Sequence, residues 1–335
     1  MTENVREIWS DDDLDRALAA LHSEVDTDER ALARARAELT GVAEPAPRRY
    51  RARLAAAAAA AVVAALVAGL LVVQTGSAPP RASAAAEALN SAADRIGASD
   101  PPIGPGQYRY VSTHAWWLSM FMLEPRGFSY LAENLIEAWV PADQRQRWLE
   151  RRTVTGARKW VRGTEAEARA AGVPIEEAPP PSEEWNAPPS GGWQRPNEQW
   201  LAGLPRDPQQ LYDRLAADAP DNDRGDTELL VYAADALRSG LVPADVRAAL
   251  YRALAKLPGL EITDRLANLD GRTGTAFGMS DGDIRHEIII DPETGAFIGE
   301  RETTVRDQDG LTAGTVLAYT SVTTAVVDAA GARPS

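Results

Sequence analysis

Histidine and cysteine, the residues that most often perform acid–base or metal chemistry, are scarce in this chain. The chain has three histidines, at positions 22, 114 and 286, and no cysteine. The lack of cysteine excludes a disulfide scaffold, an iron–sulfur cluster and a thiolate zinc site. An envelope hydrolase would need converging acids, or a serine beside His114 or His286, and no motif brings such groups together. We therefore predict no catalytic, cofactor or metal-binding residues, and a protein that is not an enzyme.

Two further motifs have a chemical and a simpler structural interpretation. Residues 270–274 read Asp-Gly-Arg-Thr-Gly, which suits phosphate binding but is better explained as a turn, because Asp and Gly are turn formers. The predicted loops also carry acids that are at best weak calcium ligands, at positions 281, 283, 307 and 309. His286 shares one face of a predicted strand with Ile288 and Ile290, so we interpret it as packed in a sheet.

The segment 173–200 is rich in proline and acidic residues, and we predict a long loop. It contains three tryptophans: Trp185, Trp193 and Trp200. We favour the interpretation that they cover the core of the domain. The alternative is that they form an exposed aromatic platform for a ligand.

The elements that must position these residues follow a strand–helix–strand order. Short runs rich in Trp, Tyr and Val predict strands at 107–117, 135–140, 147–155 and 158–162. Capping and periodicity predict helices that begin near Asp207-Pro208, Thr227 and Pro243. Alternating segments then predict five strands at 260–269, 273–279, 284–290, 296–305 and 315–327. This order predicts an α+β domain over residues 106–328, with a curved antiparallel sheet packed on a few helices and a tail at 329–335.

The segment 54–73 contains no charged residue, and its 20 positions at about 1.5 Å each would span about 30 Å. It predicts a transmembrane helix over 54–74. Four arginines precede it: Arg48, Arg49, Arg51 and Arg53. By the positive-inside rule they predict a single-pass cell-membrane protein with a cytoplasmic N-terminus and an extracytoplasmic C-terminal domain. We favour an uncleaved signal anchor over a signal peptide cleaved after Ala82-Ser83-Ala84.

The segments on either side of the predicted membrane helix complete the expected organisation. Residues 1–53 predict a cytoplasmic arm of two short helices, too small to bury a core of their own. One helix carries an apolar stripe that suits a partner's groove: Leu14, Leu18, Leu21 and Val25. We expect residues 75–105 to form a stalk that contains one helix. The net charge of −14 argues against nucleic acid as a partner.

Several motifs are shared with a known group of proteins. They are Gly106-Gln107-Tyr108-Arg109-Tyr110-Val111, Glu137-Ala138-Trp139, Leu257-Pro258-Gly259, Asp270-Gly271-Arg272-Thr273-Gly274 and Ile290-Asp291-Pro292-Glu293-Thr294-Gly295. Together they are similar to an uncharacterised actinobacterial family of single-pass membrane proteins, often encoded beside extracytoplasmic-function sigma factors. The element order of the outer domain resembles the lipoprotein carrier and the periplasmic sigma-regulatory sensors. That likeness implies a curved sheet around helices with an apolar cavity.

These observations predict a non-enzymatic membrane protein of the cell envelope. Its outer domain would bind an apolar envelope ligand, and its arm would hold a cytoplasmic partner such as a sigma factor or regulator. The function expected is envelope sensing or sigma-factor-linked regulation. The alternative is a membrane-tethered domain that binds or carries lipid or lipoprotein.

Overall fold

The computed structural model describes residues 83–97, 100–123 and 127–334, and this part of the chain contains nine strands and six helices. The strands are β1 (Tyr108–Phe121), β2 (Phe128–Pro141), β3 (Trp148–Arg162), β4 (Ser182–Asn186), β5 (Glu261–Leu269), β6 (Arg272–Ser280), β7 (Ile284–Ile290), β8 (Phe297–Thr304) and β9 (Val316–Val327). The helices are α1 (Ala84–Arg95), α2 (Glu165–Ala170), α3 (Glu198–Ala202), α4 (Pro208–Asp218), α5 (Thr227–Arg238) and α6 (Ala244–Leu254). All strands belong to one sheet in the order β4-β3-β2-β1-β9-β8-β7-β6-β5, and every neighbouring pair is antiparallel.

The predicted fold class, α+β with one transmembrane helix, is wrong for the part of the chain that the structure describes. The structure is dominated by the nine-stranded antiparallel sheet, and its helices are at most 12 residues long. None of the helices in the described ranges is both long and apolar enough to cross a membrane. The sheet is larger than expected because β1 and β2 stay paired as far as Phe121 and Phe128, through residues that lack clear alternation. The segment 182–186, expected within a loop, adds β4 to the edge.

Several sequence predictions fall on residues outside the described ranges. They are the arm, the segment 54–74, the flanking arginines Arg48, Arg49, Arg51 and Arg53, and the stripe Leu14, Leu18, Leu21 and Val25. Their roles stay predictions.

Local sequence explains where the helices begin. The predicted start at Asp207-Pro208 is confirmed, because the Asp207 carboxylate accepts hydrogen bonds from the amides of Gln209 and Gln210. The helix expected in the stalk is also present as α1. Ser83 caps it, accepting from the amide of Ala86 at 3.1 Å.

The main core lies between the helices and one face of the sheet. Helix side chains such as Leu89, Leu211 and Leu250 are fully buried there, together with Phe277 and Ile288 from the strands. Burying such side chains is the main favourable contribution to folding. The opposite face carries a smaller cluster that the C-terminal residues cover: Tyr110, Trp139, Leu149 and Val327.

Candidate functional site

A groove of about 860 Å³ opens on one face of the sheet. Its floor is one face of strands β1–β4, its far wall is the segment 186–196, and its near wall is the C-terminal end of α5. It is hereafter called the β1–β4 groove. Helix α5 packs on β6, β7 and β8, so the groove on β1–β4 lies beside it and is covered by the segment 186–196.

The register of the strands explains why the floor side chains lie together. Val111 pairs with Ala138, Ala138 with Glu150, and Glu150 with Glu184, so these four positions form a row across four strands. Side chains alternate between the faces of a sheet, and residues two apart therefore join the same face. Thr113 and Ile136 form the adjacent row in the same way.

Part of the groove is apolar. Val111, Ile136, Ala138 and Val140 make the floor near β1 and β2. Two tryptophans extend this surface at the margins, since Trp117 and Trp148 also line the groove. Trp148 is held by a hydrogen bond from its indole nitrogen to the carbonyl of Gln144 at 3.1 Å.

The remainder of the lining is charged, and its charges balance. Three acids and three arginines line the groove: Glu150, Glu184, Asp235, Arg152, Arg195 and Arg238. Arg152 contacts Glu150 at 2.5 Å, and Arg238 is paired with Asp235 and with Glu300 on β8. Burial raises the pKa of Asp235, although the positive charge of Arg238 opposes the shift. The groove thus offers both signs of charge beside an apolar floor.

The far wall is fixed by two of the three tryptophans singled out in the sequence. Trp193 is buried, and its ring meets that of Trp200 edge to face at 5.0 Å. The Trp193 indole nitrogen donates to Asp218 at 2.9 Å. Gly191 has φ +94°, and a side chain there would approach Cβ of Trp200 within 2.7 Å, so only glycine fits this turn.

The three tryptophans are not brought together into one platform. Trp185 pairs with Leu149 across β4 and β3, which places it on the face opposite to the groove, where it is partly exposed. Trp193 and Trp200 support the wall instead of presenting a free surface. Trp117 and Trp148 do line the groove. Sequence reasoning does not single them out, because tryptophans in strands usually pack against side chains of neighbouring strands.

His114 lies on the opposite face from the groove, between two carboxylates. Its Nδ1 is 2.6 Å from Asp270 and its Nε2 is 2.8 Å from Glu133. A hydrogen bond from Thr155, with smaller contributions from His114 and Lys159, lowers the pKa of Glu133. The two carboxylates contact opposite sides of the imidazole ring, so they do not converge on a common point. No serine or threonine hydroxyl in the described chain contacts His114.

His286 is buried in the sheet, as the strand pattern predicts. Asp281 lies 3.0 Å from its Nε2, and Glu302 lies 3.3 Å from its Nδ1. Burial alone would lower the pKa of His286, but the two carboxylates outweigh it and the pKa is raised. Arg224 reaches Asp281 at 3.4 Å and completes an ion cluster. A small cavity of about 110 Å³ adjoins His286.

The remaining motifs occupy turns. The prediction of a turn at residues 270–274 is confirmed, because Asp270 and Gly271 connect β5 to β6 with positive φ angles. Of the loop acids, Asp283 pairs with Arg306 and Asp307 accepts from the amide of Ala313 at 2.8 Å. Within the described ranges no three His, Asp or Glu side chains are arranged to hold a metal ion.

Comparisons of the chain with protein-family models, with curated proteins and with solved structures found no match.

Proposed function

We propose that this protein is a non-enzymatic ligand-binding protein of the cell envelope, and that its β1–β4 groove recognises an amphipathic envelope molecule. The observation that carries the proposal is the lining of the groove, where an apolar floor adjoins three acidic and three basic side chains. Its volume of about 860 Å³ lies in the range typical of small-molecule sites.

Each half of the lining favours one half of such a ligand. The floor of Val111, Ile136, Ala138 and Val140 suits an acyl or similar apolar chain, whose burial supplies the driving force. The charges suit a zwitterionic or neutral polar headgroup, because Arg152 and Arg238 are already paired with Glu150 and Asp235. Glu184 and Arg195 form no ion pair with a described residue, so they leave one charge of each sign for the headgroup.

The lining favours recognition over carriage of lipid. A carrier would need a continuous apolar cavity between the sheet and the helices, but that space is filled by core side chains such as Leu230, Phe277 and Ile288. The groove lies beside this core, and a large part of its surface is charged. We therefore favour ligand recognition over the alternative, a membrane-tethered carrier of lipid or lipoprotein.

The regulatory part of the proposal depends on residues outside the described ranges. We propose that ligand binding outside the cytoplasm is reported to a cytoplasmic partner, such as a sigma factor, held by residues 1–53. A reporter that is active only outside the cytoplasm should be active when fused after Ser335. The full-length chain should also recover a specific cytosolic protein in a pull-down, and Leu18→Asp should lose it. A silent reporter, or equal recovery by Leu18→Asp, would contradict this part.

If the groove binds an amphipathic molecule, that molecule should copurify with the protein. Full-length wild-type protein, purified gently from its own cells, should carry an amphipathic molecule that mass spectrometry detects after extraction. Ala138→Phe fills the floor of the groove and should remove that molecule, whereas Trp185→Ala changes the opposite face of β4 and should retain it. Equal retention by Ala138→Phe would contradict the proposal, provided that circular dichroism shows the variant folded.

A further inference from the structure

A second cavity, of about 340 Å³, lies where the C-terminal end of α5 meets strands β1, β6 and β9. None of its lining residues lines the β1–β4 groove. It is hereafter called the arginine cavity, because three arginine side chains from three elements line it: Arg109 of β1, Arg247 of α6 and Arg272 of β6. This convergence is unusual in a chain whose net charge is −14.

Two of the three arginines have no carboxylate partner among the described residues. Arg109 makes one long hydrogen bond, from Nη2 to the carbonyl of Pro101 at 3.4 Å, and no ion pair within the described ranges. Arg272 donates from Nη1 to the carbonyl of Val322 at 2.5 Å and likewise has no ion pair with any described residue. Most of the hydrogen-bond donors of both guanidinium groups are therefore unused.

The third arginine is only partly satisfied. Arg247 contacts Asp100 at 2.8 Å and donates to the carbonyl of Val242 at 2.8 Å. Its Nε is buried and has no hydrogen-bond partner among the described residues. A buried donor without an acceptor is costly, so it indicates a partner that is absent from the protein itself.

The negative charge close by does not balance the three arginines. Asp100 is the one carboxylate among the described residues that line the cavity. Both of its oxygens are engaged, with Arg247 and with the amide of Ala244 at the start of α6. Asp291 lies close enough for Arg272 to help lower its pKa, but it forms no ion pair and is bound to Thr294 and to the amide of Glu293.

The electrostatics of Arg109 agree with an anion site. Burial lowers the pKa of Arg109, and the positive charge of Arg247 adds to the effect, whereas Asp100 opposes it. Partly buried like charges destabilise a fold unless an opposite charge is bound between them. A bound anion would supply acceptors to the arginines that line the cavity.

We propose that the arginine cavity binds a phosphate group, either as inorganic phosphate or as the phosphate monoester of a small organic molecule. Guanidinium forks match the oxygens of phosphate, and three of them offer more donors than the two oxygens of a carboxylate can accept. The apolar side chains of Leu237, Val242 and Phe297 line the same cavity and can contact an organic substituent. The site does not depend on the function proposed for the β1–β4 groove.

Binding can be measured by calorimetry on the full-length protein at constant ionic strength, with inorganic phosphate, phenyl phosphate and benzoate as probes. We expect saturable binding of at least one phosphate compound at or below about 1 mM, and benzoate at least about tenfold weaker. Tighter binding of phenyl phosphate would identify an organic monoester as the ligand, and tighter binding of inorganic phosphate the free anion. Both results support the site.

Variants test whether the arginines carry the binding. Arg109→Gln removes one guanidinium that makes only a long hydrogen bond in the fold, so we expect a folded protein with at least about tenfold weaker phosphate binding. Arg272→Gln should also weaken phosphate binding by at least about tenfold. Arg265→Gln makes the same charge change at an exposed position outside the cavity and should bind like the wild type.

Three results would overturn the proposal. The first is the absence of phosphate binding by the wild-type protein. The second is wild-type affinity in Arg109→Gln, whose folding is checked by circular dichroism. The third is equal binding of benzoate and the phosphate compounds, which would indicate an unselective anion cavity.

Discussion

His114 and Asp270 are hydrogen bonded at 2.6 Å, although β1 and β6 stand four positions apart in the sheet. Four strand spacings in a flat sheet amount to about 19 Å, so the sheet must curl to bring the β5–β6 turn against β1. A second contact, from Arg272 to the carbonyl of Val322 on β9, joins strands three positions apart. The curl involves strands β1 and β5–β9, and strands β2–β4 extend beyond it to form most of the groove floor.

We predict that Asp270→Asn lowers the free energy of unfolding by about 1 kcal/mol, because it replaces a charged acceptor of the His114 hydrogen bond by a neutral one. Asparagine tolerates the positive φ of 51° at this position, so the backbone should not be strained. Urea denaturation monitored by circular dichroism measures the effect. A free energy of unfolding equal to that of the wild type would show that this contact does not stabilise the curl.

The ion cluster around His286 should make stability depend on pH. The folded-state pKa of His286 is raised above its ordinary value of 6.5 by Glu302 and Asp281, against the opposing effect of burial. The proton bound in the folded state therefore stabilises the fold fully below about pH 6.5, and this contribution is lost as the pH rises through the folded-state pKa. His286→Gln should lose about 1–3 kcal/mol at pH 6 and less at pH 9.

Thermal denaturation of the wild type and His286→Gln across this pH range provides the measurement. A loss of stability in His286→Gln that is the same at pH 6 and pH 9 would contradict the assignment.

Local features of the fold could be predicted from the sequence. The hairpin at residues 291–295 is present, with Asp291 bonded to the amide of Glu293 and Gly295 at φ 70°. The Asp207 cap of α4 is also present, because capping depends on neighbouring residues alone. Such features need no knowledge of distant parts of the chain.

The groove could not be predicted in this way. Its floor joins Val111, Ala138, Glu150 and Glu184, which become neighbours only through the register of four strands. The strand β4 was missed because the segment around it is rich in proline and exposed acids. The contact of His114 with Asp270 depends on the curl of the whole sheet, which no local pattern indicates.

The C-terminal residues should stabilise the sheet through Glu137, which is completely buried. Arg333 holds both of its carboxylate oxygens at 2.6 Å, and Tyr110 donates to it at 2.7 Å. Arg333→Ala should lower the free energy of unfolding by about 1–3 kcal/mol, because it removes two short hydrogen bonds to a buried carboxylate and leaves only Arg151, at 3.9 Å, as its charged partner. We expect a loss of stability in the lower part of this range, because the Arg333 side chain is more than half exposed.

Arg145→Ala provides the control for this prediction. Arg145 also pairs with a carboxylate, that of Asp143, but at a fully exposed position, so its loss should leave the free energy of unfolding unchanged. Chemical denaturation of both variants measures the difference. Equal stability of Arg333→Ala and Arg145→Ala would show that the C-terminal residues do not hold the sheet.

The central claim, that the β1–β4 groove binds an amphipathic molecule, is tested most directly by titrating the full-length protein with lysophosphatidylcholine while recording tryptophan fluorescence. This probe combines one acyl chain with a zwitterionic headgroup, and Trp117 and Trp148 line the groove. We predict a saturable change in emission for the wild type and for Trp185→Ala, and an affinity at least about tenfold weaker for Ala138→Phe. No saturable change in the wild type, or an unchanged affinity in a folded Ala138→Phe, would contradict the claim.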